Sequence, residues 1–186
     1  MDTNSSGTGF LHPSGHVITA EHVIRQSQNI LLLDTNGNKI KAQVKAFDVE
    51  IDLAILTINP LVTLKPLGIS RQQEVPVGSR VATWGFPTGY NGLAPLLSVG
   101  YLSGVQAFRL PSGNVIQQWI VNAAFNSGNS GGPLLNIDTG EVIGVVSSKP
   151  RHNTTGNKKC SRCFISAEVG VHIYTHLLRR THRANQ

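Results

Sequence analysis

Cysteine is nearly absent: Cys160 and Cys163 are the only two in 186 residues. No disulfide framework can hold such a chain, so its fold must rest on a buried core. The pair forms a lone Cys-x-x-Cys in a polar loop. Zinc would need two more ligands, with His152 the only nearby candidate, and a redox pair would want a helix start in a thioredoxin-like setting, which is missing. The two read as ordinary reduced thiols, with a metal or a loop disulfide as the alternatives. Long apolar runs are missing as well, none approaching the roughly 18 residues of a membrane-spanning helix. The start Met1-Asp2-Thr3-Asn4-Ser5 has neither the basic opening nor the apolar core of a secretory signal. The expectation is a soluble chain, cytoplasmic if that N-terminus is native and otherwise an export product whose leader has been removed. Charge is sparse, at 14% against 40% hydrophobic residues, which excludes a disordered chain.

What is abundant is turn-forming residues, with Gly 19 and Pro 9. That composition points to an all-β protein, and the length suits one compact domain or two small barrels sharing an interface. The net charge of +6 is uneven: eight of the sixteen basic residues fall in the last 38 positions, opposed there only by Glu168. Such a tract can attract nucleic acid, acidic peptides or an anionic membrane. It holds no recognisable nucleic-acid-binding motif, so it reads as a solubilising surface and no nucleic-acid partner is expected.

Residues 7 to 20 predict a hairpin turned by Pro13-Ser14-Gly15, followed by strands over 29–34, 39–46 and 52–58. Asn59 to Gly78 carries three prolines and two glycines and reads as a crossing between two halves. Further strands are expected over 80–85, 97–102, 115–121 and 141–146. From Ser166 the spacing of Val169, Val171, Ile173, Leu177 and Leu178 predicts a C-terminal helix over about 166–181. The expected organisation is an N-terminal barrel to about residue 68, a crossing over 69–78, a C-terminal barrel over 79–165, and the helix.

Within that frame Asn126-Ser127-Gly128-Asn129-Ser130-Gly131-Gly132-Pro133 stands out. A serine so placed sits in a tight turn where its amide and that of Gly128 can point to one spot, the requirement of an oxyanion hole. A serine hydroxyl needs a base, and the base an orienting carboxylate. The best histidine is His22, presented by a short turn after an apolar strand. The best acid is Asp52, at the head of Leu53-Ala54-Ile55-Leu56, with Asp48 its only close rival, in a polar turn. The same turn also satisfies Gly128-x-Ser130-x-Gly132, the nucleophile elbow of α/β-hydrolases, but Gly131-Gly132-Pro133 opposes the helix that fold requires. His172 and His176 share a helical spacing that could ligate metal. Without a carboxylate partner they read as surface residues, and no metal or cofactor is expected.

Ser5-Ser6-Gly7-Thr8-Gly9-Phe10 leading to His22, the strand after Asp52, and the turn around Ser130 together resemble the trypsin-like serine peptidases, most closely the HtrA (Deg) branch. The match covers residues 5 to about 146. The resemblance implies two Greek-key antiparallel β-barrels with a C-terminal helix and no PDZ domain. It implies a His22, Asp52, Ser130 triad, an oxyanion hole of Gly128, Asn129 and Ser130, and a substrate pocket walled by Ala124, Phe125, Asn126, Val145, Val146 and Ser147. The implied activity is a serine endopeptidase acting on protein or peptide substrates after small or medium apolar residues, since neither wall carries an acidic side chain. A regulatory partner or an oligomer is left open. The alternative is a catalytically latent module of the same fold that binds a partner through its basic C-terminal loop. Two departures stand out. Glu21 sits beside His22 where the family usually has a small residue, either raising the histidine's affinity for a proton or pointing to solvent. Little sequence precedes the first strand, so the first barrel is expected to be incomplete or completed by a partner.

Overall fold

A computed structural model describes residues 6–25, 27, 29–59, 64–71 and 74–147, together with the backbone of 5, 151–152, 158–159 and 170–176. The first half of the chain runs β1 (Ser5–Leu11), β2 (His16–Thr19), a single helical turn α1 (Glu21–Ile24), β3 (Asn29–Leu33), β4 (Lys39–Asp48) and β5 (Leu53–Ile58). β3 and β5 follow their sequence patterns: in β3, Ile30 and Leu32 are buried while Asn29 is exposed, and in β5, Ala54 and Leu56 are buried. These side chains meet Val17, Val23 and Ile40 in one core. A fully buried leucine such as Leu32 or Leu56 contributes about 2 kcal/mol of transfer free energy.

The second half runs β6 (Arg80–Gly85), β7 (Leu96–Arg109), β8 (Val115–Val121), β9 (Pro133–Asn136) and β10 (Val142–Val145), then the short β11 (Arg151–His152), β12 (Lys158–Lys159) and β13 (Gly170–His176). β6 to β10 form a five-stranded sheet in the order β10-β9-β6-β7-β8. It folds over Val81, Leu102, Val121, Leu134 and Ile143. A third cluster, Phe10, Ile18 and Leu67 from the first half with Leu135, Val142 and Val145 from the second, joins the two. The crossing segment is stitched to both: Leu67 N–H donates to Leu11 O at 3.0 Å, and Ser70 N–H donates to Val142 O at 2.8 Å. The architecture is the all-β, two-sheet one expected from the turn-rich composition.

The sequence reading and the structure part company at two places. β7 runs to Arg109, well past the expected end at residue 102, because a bulge at Ser103 lets the ladder with β8 continue through Gly104 opposite Ile120. The helix expected over about 166–181 gives way at residues 170–176 to a strand, and the rest of that range lies outside the described residues. The physical reason is period: Gly170-Val171-His172-Ile173-Tyr174-Thr175-His176 alternates β-branched and polar or aromatic residues, a pattern that a strand uses more fully than a helix. β13 lies between β1 and β3 and closes the first barrel in the order β1-β13-β3-β4-β5-β2. The barrel expected to need a partner is therefore completed by the chain's own strand.

Candidate active site

The helix α1 begins without a side-chain cap at Ala20. Its first turn is instead tied to the loop between β4 and β5, where the Glu21 N–H donates to Asp52 O at 3.3 Å and the His22 N–H to Asp52 Oδ1 at 2.9 Å. The His22 ring completes the clamp, with Nδ1 2.8 Å from Asp52 Oδ2. A nitrogen facing a carboxylate carries the proton, which leaves Nε2 as the basic nitrogen of the neutral ring. The His22 side chain is one-quarter exposed, while that of Asp52 is fully buried.

Asp52 is held in an unusual backbone conformation, φ 61, the single non-glycine residue with positive φ among the described residues. Aspartate tolerates that region better than most residues, but not freely. The preceding turn prepares it: Asp48 Oδ1 accepts the N–H groups of Glu50 at 2.8 Å and Ile51 at 3.2 Å. Asp48, the rival carboxylate in the sequence, is thus a turn former. Burial pushes the Asp52 carboxyl up, but the hydrogen bond and charge of His22, the hydroxyl of Ser147 and the His22 N–H outweigh it and hold the group below its ordinary value.

Ser130 lies in a turn whose neighbours fix it from several sides, and it is itself buried. Gly128 at φ 97 and Gly131 at φ 83 supply backbone that a side chain would strain. Within the turn, Asn129 N–H donates to Asn126 O at 3.1 Å and Gly132 N–H to Asn129 O at 2.9 Å. From outside, the Thr8 N–H donates to Ser130 O at 2.8 Å, and Thr8 Oγ1 donates to Gly128 O at 2.7 Å while accepting the Phe86 N–H at 3.1 Å. Val146 brackets the other side, accepting from Gly131 N–H and donating to Gly132 O.

These contacts bring the serine turn against the histidine helix. A Cβ on Gly131 would lie 2.2 Å from Thr19 Oγ1 and 2.8 Å from Ala20 N, the residues that lead into α1. A Cβ on Gly7 would lie 2.7 Å from the Val23 side chain and 2.9 Å from Ser130 O. Only glycine permits so close an approach at these two crossings. His22 and Asp52 are thus bonded directly, and Ser130 is docked beside the turn that carries His22.

The expected pocket residues are spread over several environments. Ala124 and Asn126 are exposed, and Phe125 packs on the core of the second sheet. Val146 belongs to that core and Val145 to the cluster joining the two halves. Ser147 is buried and its hydroxyl is hydrogen-bonded to Asp52 Oδ2. The Asn129 amide, expected at the oxyanion hole, is the one engaged by Asn126. Glu21 does not point to solvent: it is 4% exposed and paired with Arg25 one turn later, Nε to Oε1 at 2.9 Å. The roles of Thr8 and Arg25 were not singled out from the sequence, and Ser147, expected as a pocket wall, serves Asp52 instead. Asp48-Val49-Glu50, an Asx-turn pattern, signals the turn before Asp52, and the i, i+4 spacing of Glu21 and Arg25 permits their pairing. Among the described residues no group of three or more His, Cys, Asp or Glu side chains could hold a metal ion, and no helix is long and apolar enough to cross a membrane. Cys160, Cys163 and the side chains of His172 and His176 lie outside what is described.

A two-sheet β fold with a histidine clamped to a buried aspartate and a glycine-bound serine beside it defines the trypsin-like class. Residues 7–145 match the family model of the trypsin-like peptidase domain, and the chain belongs to that family. Within it, the chain is 35% identical over 145 residues to serine protease HTRA4 of Homo sapiens, covering 76% of this chain and 30% of that protein. It is 31% identical over 163 residues to the serine protease Do-like HtrA of Lactobacillus helveticus, covering 84% and 38%. Among solved structures it resembles Deg5, with TM-score 0.66 and 29% identity over 80% of this chain and 77% of that one. It also resembles the HtrA-type protease AlgW bound to a tripeptide, with TM-score 0.70 and 25% identity over 87% and 52%. The chain spans about a third of the length of these two curated relatives.

Proposed function

We propose that this chain is a serine endopeptidase domain of the HtrA-like kind, acting on protein or peptide substrates through His22, Asp52 and Ser130. The observation that supports the proposal is the doubly held histidine: its N–H and its ring both bond the buried Asp52, which leaves Nε2 as the free base of a residue carried by the turn against which the Ser130 turn packs. In this reading the Ser130 hydroxyl gives its proton to His22 Nε2 as Oγ bonds the scissile carbonyl carbon. The carbonyl electrons move onto oxygen, where the Gly128 and Ser130 amides receive them. Collapse breaks the carbon–nitrogen bond, and the histidine returns the proton to the leaving amine. Water then repeats the sequence on the acyl-enzyme. Asp52 stays ionised throughout and stabilises the imidazolium.

The same reading assigns a preference for small or medium apolar side chains, supported by the lack of any acidic residue among Ala124, Phe125, Asn126, Val145, Val146 and Ser147. The test is intact-mass analysis after incubation with a fluorophosphonate. One adduct on the parent, absent from Ser130→Ala and His22→Ala, is expected. A parent that stays unmodified refutes the reading.

A further inference from the structure

Glu21 is a carboxylate one residue before the proposed base and removed from water, at 4% exposure. An unopposed negative charge there would favour the imidazolium form of His22 and so disable a base that must be neutral. The charge is opposed. Arg25, four residues on, meets both carboxylate oxygens, with Nε 2.9 Å from Oε1 and 3.1 Å from Oε2 and a second guanidinium nitrogen on Oε2. A fork-on-fork pair of this kind fixes geometry as well as charge. It spans a helix of only four residues that has no side-chain N-cap, so it also braces the turn that carries His22.

We propose that Arg25 is a positioning and tuning residue for the proposed peptidase chemistry, silencing the buried Glu21 charge and latching α1 so that His22 stays neutral and aligned. The inference rests on the reading of His22 as the base. The charged surroundings support it: Asp52 faces His22 from the loop after β4, with Asp48 at the end of β4 and Glu50 earlier in that loop. Of the strands packed on α1, β1 and β5 carry no titratable residue, while β13 carries His172, Tyr174 and His176. The Arg25 guanidinium is raised above its ordinary range, first by the Glu21 hydrogen bonds, against a burial effect, and further by the Glu21 and Asp52 charges.

The test compares the parent with Arg25→Gln, Arg25→Lys, Glu21→Gln and the double variant Glu21→Gln/Arg25→Gln. Two readouts are used, the pH profile of kcat/KM on a peptide substrate and NMR titration of the His22 ring, which needs no turnover. Arg25→Gln should raise the His22 midpoint by about one pH unit and lower kcat/KM about tenfold below that midpoint, with KM little changed. Glu21→Gln should move the midpoint down. The double variant should return it to the parent value, and Arg25→Lys should stay near it. A merely structural pair would lower the melting temperature and leave every midpoint in place. Coincident titrations of parent, Arg25→Gln and Glu21→Gln overturn the inference, as does a double variant that fails to return. Should Arg25→Gln not fold, the Glu21→Gln shift alone decides. A parent without turnover would refute the peptidase reading, and the ring titrations would still decide the silencing.

Discussion

The Ser147 hydroxyl is hydrogen-bonded to Asp52 Oδ2, the same oxygen that receives the His22 ring nitrogen. With the His22 N–H on Oδ1, three donors converge on one buried carboxylate. This is why the group stays ionised where desolvation alone would favour its neutral form. A group whose folded pKa is lowered contributes stability above its unfolded value, near 3.9 for aspartate, and that stability is lost as pH falls through the folded value. Ser147→Ala removes one of the donors, so the folded value should rise toward the ordinary range. The variant should lose about 1 to 3 kcal/mol at neutral pH, and the gap from the parent should narrow in acid. Denaturant unfolding at pH 7 and pH 3 reads both numbers. An equal gap at the two pH values would show that the hydroxyl serves packing and not the carboxylate.

Asp52 answers a backbone demand and a chemical one together, and two substitutions separate them. Asp52→Asn suits φ 61, because asparagine also visits the left-handed region, but its amide cannot hold the imidazole in the required tautomer. Turnover should fall by about 10³ to 10⁴ with the fold kept. Asp52→Ala should match that loss and also destabilise, by about 1 to 3 kcal/mol, since neither the strained backbone nor the His22 N–H keeps its partner. Steady-state kinetics beside thermal melts would check the pair. An Asp52→Asn variant that turns over like the parent would remove Asp52 from the chemistry.

The parts of the site that the sequence displayed are those governed by local chemistry. Glycine at 128, 131 and 132 announced a tight turn around Ser130, and an aspartate at the head of an apolar strand announced a buried acid. The hidden parts depend on contacts between distant segments. Thr8 reaches Gly128 across 120 residues and Ser147 reaches Asp52 across 95, and nothing in either local pattern signals the partner. Arg25 was within reach, since Glu21 and Arg25 stand at i and i+4, but the pairing shows only once Glu21 is known to be buried. In the fold, β13 was misjudged because a short run of mixed residues fits both periods, and its place between β1 and β3 is decided by the barrel's open edges.

Gly131 is where the serine turn presses hardest on the first barrel. At φ 83 any side chain is strained, and a Cβ would stand 2.2 Å from both Thr19 Oγ1 and Thr8 O. Neither neighbour can yield freely, because Thr19 Oγ1 donates to Thr8 O at 2.8 Å. Gly131→Ala should therefore cost upwards of about 3 kcal/mol and abolish labelling of Ser130. Gly68 offers the comparison, with open space around it and no positive φ. Gly68→Ala should be neutral or stabilise by up to about 1 kcal/mol through the unfolded chain. Similar melting temperatures for the two variants would contradict this account of the turn.

Thr8 separates holding the serine turn from holding the barrel. Its side chain is fully buried, and Oγ1 serves Gly128 O and the Phe86 N–H at once, while its backbone serves Ser130 O and the Thr19 hydroxyl. Thr8→Val keeps the shape and the backbone bonds but strips both bonds of the hydroxyl, the one to the Gly128 carbonyl and the one from the Phe86 N–H. That should cost about 1 to 3 kcal/mol, the net contribution of two buried hydrogen bonds. The Gly128 N–H is expected to donate to an oxyanion, and it lies one peptide before the carbonyl that loses its anchor, so loosening residue 128 should disturb that donor. The fluorophosphonate reaction of Thr8→Val should slow by about ten- to a hundredfold even at a temperature where the variant is folded. Thr8→Ser restores the hydroxyl without the methyl group and should recover the rate more fully than the stability. If Thr8→Ser recovers stability and not rate, the hydroxyl does not hold the turn and the threonine is core packing alone.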